Sequence, residues 1–350
     1  MRVLTVLGTR PQIVKAAPVS RALRAAGHEE ILLVTGQHYD RDLTGVLRED
    51  SGIPAPARSL RVGSGSHGAQ AAAAARGVAE FAAEVRPDCL LVAGDTNSAL
   101  AAGLGARAAG IPLVHGEAGV RLGVLSLPEE ANRVALDHLS DLALCPTARA
   151  AGALRAESPR ARVEDAGDPL LDAFLEARAA GPPPPAPAAP CLLATVHRAE
   201  NTDDPARLRR IVDALASLPI RVVLPVHPRT RRALENAGRW PLPAAIAAED
   251  PLPHRPLLEV AARATAVLTD SGGLQREAYW LGVPCILLRD ACEWTETVEE
   301  GWCALAGAEP ARIAAAAAAP PRGPRPPDLA AFGGGSAAAR WVRALEERFG

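Results

Sequence analysis

The sequence predicts an α/β fold made of two doubly wound domains, each built on a parallel sheet, with a ligand cleft between them. Short runs that are apolar throughout alternate with longer amphipathic segments. That alternation marks parallel strands covered by helices on both faces. Residues 181–190, GPPPPAPAAP, hold proline at a density that neither helix nor sheet accepts, and they read as a semi-rigid linker. The alternation then restarts, and 350 residues exceed one ordinary core.

In the first half, strands are expected at 3–7, 30–35, 89–93, 112–115, 142–145 and 162–165. Helical patterns lie between them at 11–26, 69–85 and 97–109. After the linker, strands are expected at 191–196, 221–225, 266–269 and 285–288. A Pro/Arg/Gly stretch at 320–327 precedes a last amphipathic helix at 337–348. The domains are therefore drawn as 1–168 plus the terminal helix 337–350, and 169–336. In such sheets ligands bind beyond the carboxyl ends of the strands, and most of the unusual residues fall there.

Apolar residues make up 48 % of the chain but aromatics only 3 %, so the core must rest on Val, Leu and Ile strands. A formal charge of −2 with no basic tract argues against a nucleic-acid or anionic-membrane surface. The N-terminal apolar run breaks at Gly8 and Arg10, too soon for a signal peptide, and no apolar stretch could cross a bilayer. A soluble, cytoplasmic protein is expected. Cys89, Cys145, Cys191, Cys285, Cys292 and Cys303 form no C-x-x-C pair and read as reduced thiols, with no clustered ligands for zinc.

The first strand runs into Gly8-Thr9-Arg10-Pro11, with Lys15 a turn later. A glycine, a helix start and two cations suit an anion better than a plain strand-to-helix turn. Asp95 follows the strand 89–93, where it can act or simply cap a helix. Glu117 follows the strand after that, and Glu129 opens a helix in Pro128-Glu129-Glu130-Ala131-Asn132-Arg133. Each acid alone favours an ordinary capping or dipole role. Jointly they converge on one sheet edge, where mutual repulsion raises at least one pKa, as acid/base work requires.

In the second half His197 and His227 follow successive strands. Thr269-Asp270-Ser271-Gly272-Gly273-Leu274-Gln275-Arg276-Glu277 then joins a strand to a helix. Exposed amides at Gly272 and Gly273, Ser271 and the helix dipole suit a phosphate. Glu277, about one turn in, suits vicinal ribose hydroxyls. The competing reading of Ser271 is a helix N-cap.

These motifs, in this order, resemble the non-hydrolysing UDP-N-acetylglucosamine 2-epimerases. The resemblance runs from Gly8-Thr9-Arg10-Pro11 to Glu293-Trp294-Thr295-Glu296 and Gly301-Trp302. It implies a GT-B-like architecture of two Rossmann-like domains, a final helix returning to the N-terminal domain, and a homodimer. It also implies elimination of UDP with loss of the C2 proton, then re-addition through 2-acetamidoglucal, with no metal or nicotinamide cofactor.

By motif, Asp95, Glu117 and Glu129 become the acid/base groups, with His197 assisting the leaving group. Arg10, Lys15, His197, Ser271 and Gly272 are the candidate donors to the diphosphate, and Arg133, His227 and Glu277 the nucleotide contacts. Which acid takes the C2 proton stays open. The chain departs from the family at Leu122-Gly123-Val124, where members usually carry Ser or Thr and then Asp. That change points to a modified UDP-sugar as a second possible substrate. Gly36-Gln37-His38-Tyr39-Asp40 also differs from members activated by their own substrate. A hydrolysing epimerase, a glycosyltransferase on the same scaffold and a sugar-nucleotide-binding protein without turnover would share parts of the same motif set.

Overall fold

A computed structural model describes residues 1–36, 52–60, 62, 67–181 and 190–350. Most of the expected linker, together with Gln37, His38, Tyr39 and Asp40, lies outside these. Two compact units form: Met1–Glu176 with Leu329–Gly350, and Ala177–Asp328.

In the first unit, the strands are β1 (Arg2–Leu7), β2 (Glu29–Val34), β3 (Arg58–Ser59), β4 (Cys89–Ala93), β5 (Leu113–Gly116), β6 (Leu142–Cys145) and β7 (Arg162–Asp165). They pair in parallel in the order β3-β2-β1-β4-β5-β6-β7. Their apolar runs suit burial on both faces. Val3, Leu91, Val114 and Leu142 pack on one side with Trp341, Val342 and Leu345 of the helix Ala337–Phe349. Leu4, Val6, Leu33 and Leu113 pack on the other with Phe81 and Leu136.

The unit reaches past residue 168 into the helix Pro169–Ala179, because that helix is anchored here. Leu170, Leu171 and Phe174 are buried, and the Asp172 carboxylate accepts the Ala337 and Ala338 amides at 3.2 and 2.8 Å. The returning segment begins at Leu329 rather than 337, since the Phe332 carbonyl accepts the Asp168 amide at 2.9 Å.

The second unit repeats the plan. Its strands are β8 (Cys191–Thr195), β9 (Arg221–Pro225), β10 (Ile246–Glu249), β11 (Ala266–Thr269), β12 (Cys285–Leu287) and β13 (Cys303–Leu305). They run parallel in the order β10-β9-β8-β11-β12-β13. Leu192, Val222, Leu268 and Ile286 pack against Ile211 and Leu215 of the helix Pro205–Ser217 and Ile313 of the helix Pro310–Ala318. In each unit the order reverses beside the first strand, between β1 and β4 and between β8 and β11. That reversal opens a crevice at the carboxyl ends of the strands. No described helix is long and apolar enough to cross a membrane.

Candidate active site

The first crevice receives the residues after β1, β4 and β5. The Gly8 and Thr9 amides, expected to face an anion, are taken instead by Gln12 Oε1 at 2.8 and 3.0 Å. Gly8 is a glycine because a Cβ would overlap the Ser98 side chain. The Arg10 and Pro11 side chains lie outside the described ones. Lys15, one turn into the helix Arg10–Ala25, places Nζ 2.6 Å from Glu117 Oε2, with both side chains largely buried. Glu117 sits just beyond β5 with φ +59°, a left-handed conformation that is costly for a side chain of this size.

Asp95 does not cap the helix Asn97–Ala108; Thr96 does, accepting the Ala99 amide at 3.1 Å. The Asp95 carboxylate is paired with Arg133 Nη2. Asn132 fixes the same turn by donating to the Asp95 carbonyl at 2.9 Å. Arg133, assigned by motif to the nucleotide, bridges Asp95 and Glu130, its other nitrogen meeting Glu130 Oε2 at 2.5 Å. Glu129 is half-buried in the first turn of the helix Pro128–Leu139, with no side-chain partner among the described residues. Lys15 and Arg133 therefore offset much of the repulsion expected among three converging acids.

Below this level runs a buried network that the sequence did not suggest. The fully buried His115 ring meets Asp137 Oδ1 at 2.6 Å and the Gly94 carbonyl at 2.9 Å. Asp137 Oδ2 accepts Arg121 Nη1 at 2.6 Å and the Gly119 amide at 3.0 Å. Burial alone would raise the Asp137 carboxyl, but the His115 ring and Arg121 hold it below the usual carboxylate range. Both nitrogens of His115 are thereby committed to holding Gly94 and Gly119 on either side of Glu117.

The second crevice is organised by Asp270, fully buried after β11. Its carboxylate accepts the His197 and Arg198 amides at 2.9 Å each and Asn201 Nδ2 at 3.0 Å. His197 Nδ1 lies 3.3 Å from Asp270 Oδ1, and its ring centroid is 5.6 Å from that of His227. Burial lowers the His197 pKa; Asp270 opposes, while Arg198, Arg229 and Arg289 add to the lowering. His227 is a helix N-cap, accepting the Arg229 amide at 3.2 Å through Nδ1.

Ser271 is the N-cap of the helix Gly272–Trp280 and accepts the Leu274 amide at 3.3 Å, so its side chain serves the helix. The first-turn amides at Gly272 and Gly273 have no intrahelical acceptor, a geometry suited to an anion. A Cβ on Gly272 would crowd the Trp294 indole, 2.9 Å from Nε1. That indole stacks under the Arg276 guanidinium at 3.6 Å. Arg289 is paired with Glu293 and, at 3.0 Å, with Glu200. Glu277 is nearly buried and one oxygen is already engaged, 2.6 Å from His254 Nε2.

Sequence reasoning missed Glu130, Asp137 and His254, and gave Asp270 no role. Glu130 lies beside a residue it did single out, and only burial tells the two apart. Among the described residues no cluster of His, Cys, Asp and Glu could hold a metal ion.

The sequence profile of the family described as UDP-N-acetylglucosamine 2-epimerase matches residues 21–346. The chain is 38 % identical to UDP-2,3-diacetamido-2,3-dideoxy-D-glucuronate 2-epimerase of Pseudomonas aeruginosa, over 97 % of this chain and 98 % of that protein. It is 33 % identical to UDP-N-acetylglucosamine 2-epimerase of Methanocaldococcus jannaschii, over 88 % of each chain. The fold is similar to the crystal structure of the M. jannaschii UDP-GlcNAc 2-epimerase in complex with UDP-GlcNAc and UDP. There the TM-score is 0.90 and the identity 32 %, covering 99 % of this chain and 100 % of that one.

Proposed function

The chain belongs to the UDP-N-acetylglucosamine 2-epimerase family, and on that premise we propose that it interconverts the C2 epimers of a UDP-N-acetylhexosamine by expelling and re-adding UDP. One observation carries the reading. Asp95 and Glu117, at the ends of adjacent parallel strands, are each held by a cation from another helix, while Glu129 stands half-buried and unpaired among the described residues.

In the forward step a carboxylate takes the C2 proton. The C1–O bond breaks with its electron pair leaving on UDP, and a C1–C2 double bond forms. In the return step an acid on the other face delivers a proton to C2 while a UDP oxygen rebonds to C1. A C2–H beside a carbon bearing an amide is a weak acid, so departure of UDP must lead or accompany proton loss. Developing diphosphate charge needs donors already in place, each worth a few kcal/mol. The Gly272 and Gly273 amides and His197 are assigned that role, with Glu277 and His227 holding the nucleoside. With its pKa lowered, His197 favours the neutral imidazole over the cation at neutral pH.

A modified sugar is a second reading, because two observations favour it. The loop after Arg121 exposes Val124 and Leu125 at 39 % and 68 %. The Pseudomonas relative is named for a 2,3-diacetamido glucuronate. The test is a panel of UDP-sugars including UDP-N-acetylglucosamine and that uronate, followed by NMR. The expected result is a C2-epimeric product still joined to UDP. Free sugar as first product would indicate a hydrolysing enzyme, and no epimer from any member would overturn the reading.

A further inference from the structure

We propose that Glu130, a carboxylate outside the reacting set, is the positioning residue that fixes Asp95 and ties it to the 122–123 turn. The proposal rests on the function reading above. Glu130 is 2 % exposed and both of its oxygens are engaged. Oε1 accepts two successive backbone amides, Leu122 at 2.9 Å and Gly123 at 2.8 Å. Paired amides converging on one oxygen form a small anion-binding concavity, here filled by the protein's own carboxylate. Gly123 has φ +79°, and a Cβ there would meet nothing within 4 Å, so its backbone conformation alone calls for glycine.

The other oxygen, Oε2, lies 2.5 Å from Arg133 Nη1, and Arg133 Nη2 is paired with Asp95. The chain of contacts therefore runs from the turn through Glu130 and Arg133 to Asp95. With the Glu130 and Arg133 side chains 2 % and 7 % exposed, solvent screens that chain little. Neighbouring Glu129 has no such partners among the described residues, which separates a reacting acid from a bracing one.

The test is a double-mutant cycle in the whole chain, read by NMR on UDP-N-acetylglucosamine or whichever UDP-sugar of the panel is turned over. In Glu130→Gln the amide oxygen can still accept the two backbone N–H groups, but its NH2 confronts Arg133, which loses the contact orienting it toward Asp95. kcat is expected to fall about 100-fold, at the low end of an acid/base contribution, with UDP affinity unchanged. In an Asp95→Asn background the same change is expected to cost less than about twofold, because Glu130 acts through Asp95. Losses that simply multiply, or a wild-type kcat in Glu130→Gln, overturn the proposal.

If Glu130→Gln fails to fold, Gly123→Ala strains the turn at an open position. Lower kcat at unchanged UDP affinity then supports the proposal, and wild-type kcat overturns it. Amide exchange separates this proposal from the function reading. Glu130→Ala should speed exchange at Leu122 and Gly123, and unchanged rates refute the brace even in a chain that turns over no sugar.

Discussion

Glu117 owes its place to its backbone as much as to its charge. Its positive φ swings the carboxylate back over Gly94, where an added Cβ would sit 3.3 Å from Oε2. A strained residue needs surroundings that over-determine it, and the buried His115–Asp137 pair on the flanking glycines provides them. Single side chains also set the pH response. A neutral His197 is favoured because burial disfavours the imidazolium. An NMR titration of the His197 ring is expected to give a midpoint below the ordinary value of about 6.5. A midpoint at or above it would contradict a neutral imidazole there.

Much of this was readable in the sequence as residue type and position after a strand: Asp95, Glu117, Lys15, His197 and the double glycine. The pairings were not. Lys15 and Glu117 are 102 residues apart, and Arg133 and Asp95 are 38. Spacing does not say which acid a cation will choose.

The helix Pro128–Leu139 concentrates the polar work of the first unit. Glu130, Arg133 and Asp137, spaced near its 3.6-residue period, turn inward from one face, so its buried stripe is charged where an ordinary helix is apolar. Buried charges are tolerable only as a satisfied network. Asp137→Asn is expected to destabilise the protein by about 3–5 kcal/mol at pH 7, because His115 and Arg121 lose their partner inside the core. Asp137 has a folded pKa below its unfolded one. Its contribution is therefore fully present above the unfolded value of about 3.9 and is lost as pH falls through the folded one. Urea unfolding of wild type and variant should show a gap that closes in acid, and a gap independent of pH would contradict the assignment.

Among the elements, the strands β4, β6, β7, β9 and β11 match their expected bounds. The ones left out are β3, β10 and β13, all at the edge of their sheets and only two to four residues long. Arg58–Ser59 carries no apolar run and Ile246–Glu249 only a weak one, because a solvated edge does not need more.

Across the molecule, one plan is used twice. Each unit reverses its strand order next to its first strand and sets its charged and glycine-bearing turns at that reversal. The two doubly wound units were legible from alternation and the proline-rich break, and the GT-B-like architecture from the family resemblance. The return of residues 329–350 to the first unit is secured by packing that only the fold reveals. Trp341 is nearly buried, and its indole fills the space a Cβ on Gly116 would need. The division of labour that follows is a carboxylate centre in one unit and an amide-lined, helix-terminated turn in the other. The proposed chemistry assigns proton transfer at C2 to the first and binding of the diphosphate to the second.

The most direct measurement of that claim is solvent deuterium at C2. The protein is incubated with its UDP-sugar in deuterated water, and the product epimer is read by NMR beside a Glu117→Gln sample. Wild type is predicted to give a product deuterated at C2, and Glu117→Gln to slow its appearance by roughly two to four powers of ten. An epimer formed by wild type that keeps its original hydrogen at C2 would contradict proton removal by these carboxylates.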